Sequence, residues 1–282
     1  ATSVARIMMP YEDMIEALLP VARQAGERIM EVYSKPKQSG TKDDGSPVTE
    51  ADEAAELVVV GALKLLFPKI PVISEENPEN HHLPAPQRFF LVDPLDGTTN
   101  FLHGFPQYSV SIALMHKGVL NQAVVYDPTS DELFIASRGR GAYLNDRRLR
   151  VSKRTKLSDS LIGTGFPFRD FTHMDAYMAM FKDIVPRTVG IRRPGSAALD
   201  LAYVAAGRYD GFWEIGLSPW DIAAGCLLIT EAGGLVGDLE GNETHIECGR
   251  IVAGNPKVFG QLLQVIAPHL TPELTSKSKT TN

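Results

Sequence analysis

Between residues 71 and 152 the chain breaks into short extended runs, and no helical period survives there. PVIS (71–74), RFFLV (88–92), YSVSIALM (108–115), QAVVYD (122–127), ELFIAS (132–137) and RLRVS (148–152) follow one another. Turn signals separate them, notably Lys117-Gly118, Asp127-Pro128 and Asn145-Asp146. Apolar runs this short, joined this tightly, predict a mostly antiparallel sheet of the meander type.

Helical patterns flank the sheet. Residues 11–33 place Met14, Ile15, Leu18, Ala22, Ala25, Ile29 and Met30 at helical spacing, with Pro20 expected to kink the helix or mark its start. SPVTEADEAAELVVVGALKLLF opens a second helix, in which Thr49 and Asp52 form a capping pattern and Pro68 closes the element. Beyond residue 170 the elements alternate. A helix at 171–184, VGIRR (189–193), a helix over 196–207, YDGFWEI, a helix over PWDIAAGCLLITEAGG, IVAGN and a last helix in PKVFGQLLQVI succeed one another. Strands followed by alternating elements predict stacked layers of helix and sheet. We divide the chain into an N-terminal extension (1–10), one domain (11–268, with sub-regions 11–185 and 186–268) and a polar tail, 271–282, expected to be disordered.

Of the 282 residues 44% are hydrophobic, ample for a large core, and the net charge of −6 argues against a chain whose main work is coating nucleic acid or an anionic membrane. The two cysteines, Cys226 and Cys248, are too few for a disulfide scaffold and are expected to be reduced. No apolar run approaches the roughly 18 residues of a membrane span, and a secretory leader pattern is lacking, so a cytoplasmic protein is expected.

Four acidic features stand where an extended run ends or a helix begins: Asp52, Glu75-Glu76, the pair Asp93 and Asp96 in LVDPLDGTTNF, and Asp221 in SPWDIAAG. Singly, three have ordinary explanations. Asp52 can complete a capping box with Thr49, Asp221 can complement a helix dipole, and Glu75-Glu76 can be a solvated loop. The pair resists that treatment, because two like charges at close spacing after an apolar strand call for a cation. Gly97 and Thr98, at a turn into a helix, would add backbone N–H groups for an anion. Every candidate ligand is a carboxylate, and no Cys or His lies at zinc-like spacing, which favours Mg²⁺. The seven histidines, including the adjacent His81-His82, read as loop or surface residues.

DPLDGTTNF together with PWDIAAG resembles the paired signature of the inositol monophosphatase family of Mg²⁺-dependent, lithium-sensitive phosphatases. The stretch RRPGSAALDLAYVAAGRYDGFWEIGLSPWDIAAG is similar to its bacterial SuhB-type branch, and the resemblance covers residues 11 to 268. It implies an αβαβα sandwich of the sugar-phosphatase type and a homodimer. It implies one Mg²⁺ on Glu75, Asp93 and the Leu95 carbonyl, a second on Asp93, Asp96 and Asp221, and a third, weaker ion on Glu75 and water. Glu75, Thr98 and Asp52 would be the catalytic residues, Thr98 hydrogen-bonding the attacking water with Asp52 behind it. Phosphate would rest on Gly97 and Thr98, and a polyol on Asp96, Gly195, Ser196, Ala197, Glu214 and Asp221. The chemistry is coherent with hydrolysis of myo-inositol 1-phosphate: a phosphate monoester needs an activated water, neutralised phosphoryl oxygens and a stabilised alkoxide, which paired metal ions supply.

The N-terminal third departs from that branch. DDGSPVTEADEAAE and PVISEENP resemble the relatives that act on 3′-phosphoadenosine 5′-phosphate, which usually carry Lys-Glu where this chain has Thr99-Asn100. That nucleotide and other sugar or histidinol phosphates stand as alternative substrates. A non-enzymatic alternative rests on residues 138–156, with eight Lys or Arg against one acid. They could meet RNA, RNA polymerase or its Nus factors, since SuhB-type proteins are linked to ribosomal RNA transcription. A charged edge strand that discourages aggregation is the plainer reading.

Overall fold

The structure, a computed structural model, describes residues 14–35, 39–41, 47–77 and 86–275. The N-terminal extension, His81-His82 and residues 276–282 lie outside them. Two helices come first, α1 (Ile15–Tyr33) and α2 (Glu50–Leu66), separated by a small hairpin of β1 (Ser39–Thr41) and β2 (Pro47–Thr49). α1 begins before Pro20 and runs through it, so Pro20 does not mark the helix start. α2 starts on the expected capping box: Asp52 N donates to Thr49 Oγ1 at 3.1 Å, and Thr49 N donates back to Asp52 Oδ2 at 2.9 Å.

The meander is a seven-stranded sheet. Its strands are β3 (Val72–Ser74), β4 (Arg88–Asp96), β5 (Ser109–His116), β6 (Val119–Asp127), β7 (Glu132–Ser137), β8 (Gly141–Leu144) and β9 (Arg147–Arg148), hydrogen-bonded in chain order. Only β3 runs parallel to its neighbour. The run expected at 148–152 is corrected: the strands are 141–144 and 147–148. Asn145 and Asp146 take positive φ values of 44° and 71°, which makes a two-residue hairpin turn between them. Leu149 N still donates to Ala142 O of β8 at 2.8 Å, and beyond it the chain leaves the sheet, Val151 N donating to Ala232 O at 3.0 Å.

A second sheet has the order β11 (Gly190–Arg192), β10 (Leu161–Thr164), β12 (Gly211–Ile215), β14 (Arg250–Gly254), β13 (Leu235–Gly237). The helices complete the layers. On one face of the large sheet α1 and α2 cover Phe90, Val92, Ile112 and Leu114. On its other face lie Phe89, Leu91 and Ala113, packed with α5 (Ala197–Ala205) and α6 (Pro219–Glu231), which also cover Phe212 and Ile251 of the second sheet. α4 (Met174–Ile184) and α8 (Pro256–Ile266) close the outer face over Ile162, Trp213 and Val252. Neighbours such as Phe212 and Trp213 thus feed opposite cores, as a pleated strand requires. The layers run helix, sheet, helix, sheet, helix, as expected. Central strands are covered on both faces, which is why YSVSIALM reads as continuous rather than alternating.

The tail is corrected in part. Pro272–Leu274 form a 3₁₀ turn, and Leu274, 1% exposed, joins the outer core, so apolar burial outweighs the polar composition of that segment. Two short helices, α3 (Thr98–Leu102) and α7 (His245–Cys248), complete the α-helices of the described residues.

Candidate active site

Asp93 and Asp96 are three residues apart on one strand, and in a regular strand such residues face opposite ways. β4 avoids this with a bulge. Asp93 pairs with Ser111 and Asp96 with Ser109, so one extra residue is inserted between them. The two aspartates thereby face the side shared by Ser109 and Ser111. Pro94 sits in the bulge, where its missing N–H costs no ladder bond.

Asp221 enters from the first turn of α6. The carboxylates of Asp93, Asp96 and Asp221 place ligand atoms within 4.8 Å of one another. Glu75, just past β3, is anchored by its N–H to Val92 O at 3.1 Å and sets its carboxyl against Asp93. Burial, then Glu75, Asp96 and Asp221, push the Asp93 carboxyl well above its ordinary range. Burial raises Asp96 too, opposed by its hydrogen bonds from Ser196 and Ala198, and burial with Asp96 and Glu75 lifts Asp221 to about 7. Asp93 Oδ1 is buried and has no hydrogen-bond partner. A buried, unpaired carboxylate oxygen among repelling carboxylates is costly unless a cation joins them. The all-oxygen set suits Mg²⁺, so these residues fit that ion.

Asp52 is wholly buried and uses both oxygens. Oδ2 accepts from Thr49 N and from Thr49 Oγ1 at 2.6 Å, while Oδ1 accepts from Thr98 Oγ1 at 2.8 Å. The helix-capping and site readings of Asp52 therefore hold together. Asp221 behaves alike: its Oδ2 accepts from Ser218 N at 2.8 Å at the start of α6 while the carboxylate stays in the acidic group. Leu95 buries its side chain, and its carbonyl lies 3.3 Å from Thr98 Oγ1. Gly97 takes φ +95°, and a Cβ there would meet Gln107 O at 2.7 Å, so only glycine makes this turn into α3.

The second sub-region arrives at the same point. Ser196 Oγ and Ala198 N donate to Asp96 Oδ2 at 2.6 and 3.0 Å, which brings Gly195, Ser196 and Ala197 over the acids. Glu214, on β12, is pushed up to about 8 by burial, opposed by Arg193 and raised further by Asp221 and Asp96. The structure thus gathers Asp52, Glu75, Asp93, Asp96, Thr98, Ser196 and Asp221, with Glu214 facing them.

Sequence reasoning gave three residues beside the site no role in it, although Asn100 was noted as part of the Thr99-Asn100 pair. Arg193 opposes the rise of Glu214, and Asp200, 1% exposed, has Oδ1 buried without a partner. Asn100 donates to Gln107 O and to Pro194 O, both at 2.8 Å. The Thr99-Asn100 pair marked the position in the sequence, but nothing there showed its reach to Gln107 and Pro194.

A five-layer sandwich whose paired sheets deliver an acidic cluster to one point defines a sugar-phosphatase type of fold. The model of the inositol monophosphatase family matches residues 11–271, and the chain belongs to that family. Over 269 residues it is 52% identical to a Nus factor SuhB of Pseudomonas aeruginosa, a match spanning 93% of this chain and 99% of the relative. It is 44% identical over 258 residues to an inositol-1-monophosphatase of Mesorhizobium japonicum, covering 92% and 96%. The crystal structure of the suhB extragenic suppressor protein from Bartonella henselae superposes with a TM-score of 0.83 at 42% identity, over 90% of this chain and 98% of that one. An inositol monophosphate-bound SaIMPase-II superposes with a TM-score of 0.76 at 26% identity, over 90% and 94%. Among the described residues no helix is long and apolar enough to cross a membrane, and both cysteines are free.

Proposed function

We propose that this protein is a Mg²⁺-dependent, lithium-sensitive hydrolase of small phosphate monoesters and that myo-inositol 1-phosphate is its substrate. The observation that carries the reading is the bulge in β4, which turns Asp93 and Asp96 to one side, with Asp221 within 4.8 Å and the Asp52–Thr98 pair beside them. Glu75, Asp93, Asp96, Asp221 and the Leu95 carbonyl would hold two or three Mg²⁺ ions. Bound there, Mg²⁺ supplies charge neutralisation for phosphoryl oxygens, a more acidic water and stabilisation of the leaving alkoxide.

The chain's own residues do the rest. Thr98 Oγ1 donates to Asp52 at 2.8 Å and so presents its lone pairs outward to accept a hydrogen bond from an attacking water, whose proton it takes up as its own passes to Asp52 Oδ1. Asp52, buried and fixed through Thr49, holds the hydroxyl in that orientation. Gly97 and Thr98 turn backbone N–H groups toward the phosphate. Ser196 and Ala197 line the polyol side with Glu214, whose carboxyl can accept from or donate to ring hydroxyls near neutral pH. The neighbouring SaIMPase-II, of the same fold, is bound to inositol monophosphate in its crystal structure, and the Mesorhizobium japonicum relative is named an inositol-1-monophosphatase.

A phosphate-release panel tests the reading: myo-inositol 1-phosphate, 3′-phosphoadenosine 5′-phosphate, fructose 1,6-bisphosphate and histidinol phosphate, with Mg²⁺ and then with added Li⁺. Preferred, lithium-inhibited release from the inositol ester is expected. Preference for the nucleotide would move the assignment to that branch.

A second, compatible role has its own observation. Arg147 and Arg148 are exposed on the edge strand β9, and Arg150, Lys153, Arg154 and Lys156 are exposed beyond it. Several relatives are named Nus factors, so we propose that this strip meets a transcription complex in the cytoplasm, with the protein acting as a homodimer. Charge reversal at Arg147, Arg148 and Arg150 is expected to abolish capture of RNA polymerase with its elongation factors and to leave phosphate release intact. Unaltered capture would sink this role, and sedimentation checks the dimer.

A further inference from the structure

We propose that Asn100 is a positioning residue: its side-chain amide fixes the Gly195–Ser196–Ala197 turn over the acidic cluster and so sets the fit of the hydroxyl-bearing part of the substrate. The proposal rests on the reading of that turn as the polyol-facing wall.

The amide has two N–H groups, and both are used. One donates to Gln107 O, two residues before strand β5, and the other to Pro194 O, 94 residues away in sequence, each at 2.8 Å. The side chain is therefore a strut from the large sheet to the segment entering α5. Gly195 lies flat on it. With φ +98°, a Cβ at Gly195 would fall 2.9 Å from Asn100 Nδ2 and 2.8 Å from Arg193 Nη1, so the turn has no room to sit closer. From this seat Ser196 Oγ and Ala198 N reach Asp96 Oδ2.

The turn is thus held at two points of different character. The contact at Asp96 involves a carboxylate assigned to metal, and its strength changes with whatever that carboxylate binds. The contact at Asn100 joins a neutral amide to backbone carbonyls and does not depend on the metal. Asparagine is required by chemistry as well as size. An acid at 100 has acceptors where both carbonyls need donors, and an apolar side chain leaves two partly buried carbonyls without partners.

Asn100→Asp keeps the shape and removes both donors. Amide hydrogen exchange, followed by mass spectrometry in protein without added metal, should speed up about tenfold across residues 195–198 and stay unchanged across β4. In phosphate release, KM for myo-inositol 1-phosphate should rise about tenfold with kcat within about twofold, the signature of lost binding to substrate and transition state alike. With p-nitrophenyl phosphate, which has no ring hydroxyls, both constants should stay within about twofold. Unchanged exchange overturns the proposal, as does an equal loss on both esters, which would place the effect at the phosphate or metal end. If the wild-type chain hydrolyses neither ester, the phosphatase reading fails, and the exchange measurement still decides whether Asn100 holds the turn. Should Asn100→Asp not fold, Asn100→Ala and Gly195→Ala are expected to show the same exchange and KM pattern. Its absence in both overturns the proposal.

Discussion

Asp96→Asn separates two tasks that one carboxylate performs. Asp96 Oδ2 accepts from Ser196 Oγ at 2.6 Å and from Ala198 N at 3.0 Å, and an amide oxygen in the same place accepts from both. The turn before α5 therefore survives the substitution. The other position becomes NH₂, a donor turned toward Asp93 and Asp221 where a ligand oxygen had been. Without metal this should help the fold. Two unit charges 4.8 Å apart repel by about 3.5 kcal/mol at an effective dielectric of about 20. Protonation already relieves much of that, as the raised carboxyls show, so a gain on the order of 1 kcal/mol is expected, or about 2–4 °C in Tm for a chain of this size. With Mg²⁺ the sign reverses. The wild type at a hundredfold excess over Kd gains about 2.7 kcal/mol, and the variant should lose most of that gain and most of its turnover. Thermal unfolding in EDTA and along a Mg²⁺ titration, beside phosphate release at saturating Mg²⁺, reads all three effects. A variant that is less stable in EDTA, or that keeps the wild type's Mg²⁺ shift and hydrolysis, would refute the reasoning.

Thr98→Val leaves the Asp52 capping bonds and removes the donor to Oδ1, so we expect a stability loss of about 1–3 kcal/mol in chemical denaturation. Turnover should fall by about a hundredfold or more with KM little changed. The Glu214 carboxyl is raised from 4.5 to about 8 in the folded protein, so its share of stability is full below pH 4.5 and is lost as pH rises through 8. Glu214→Gln should flatten the metal-free stability profile across that window, and an unchanged slope would argue that Glu214 is charged throughout. Leu274→Ala should cost about 2–5 kcal/mol, since Leu274 is 1% exposed in the outer core; a neutral result in urea unfolding would show the C-terminal turn to be undocked.

Much of the layered fold was legible because each strand and helix carries its own period, from the Thr49–Asp52 capping box to the buried run at 108–115. What failed was local. The turn at Asn145-Asp146 falls where expected, yet the strand before it, GAYL, was not read, RLRVS is extended only over its start, and β10 in LIGT is too short to show a pattern. TPEL looks like tail because composition cannot register one leucine docking into a distant core. The acidic cluster was legible from LVDPLDGTTNF, whereas its geometry was not. Period-2 reasoning puts Asp93 and Asp96 on opposite faces, and only the register against Ser111 and Ser109 shows the extra residue that reunites them. The link from Asn100 to Pro194 spans 94 residues and leaves no local trace in the sequence.

The account turns on the acidic cluster being a metal site. Crystals soaked in Mn²⁺, which shares the preference of Mg²⁺ for carboxylate oxygen, report it directly through anomalous scattering. We predict peaks bounded by Asp93, Asp96 and Asp221, with the ion at Asp96 missing in Asp96→Asn. Peaks elsewhere on the protein, with that cluster empty at saturating Mn²⁺, would contradict the account.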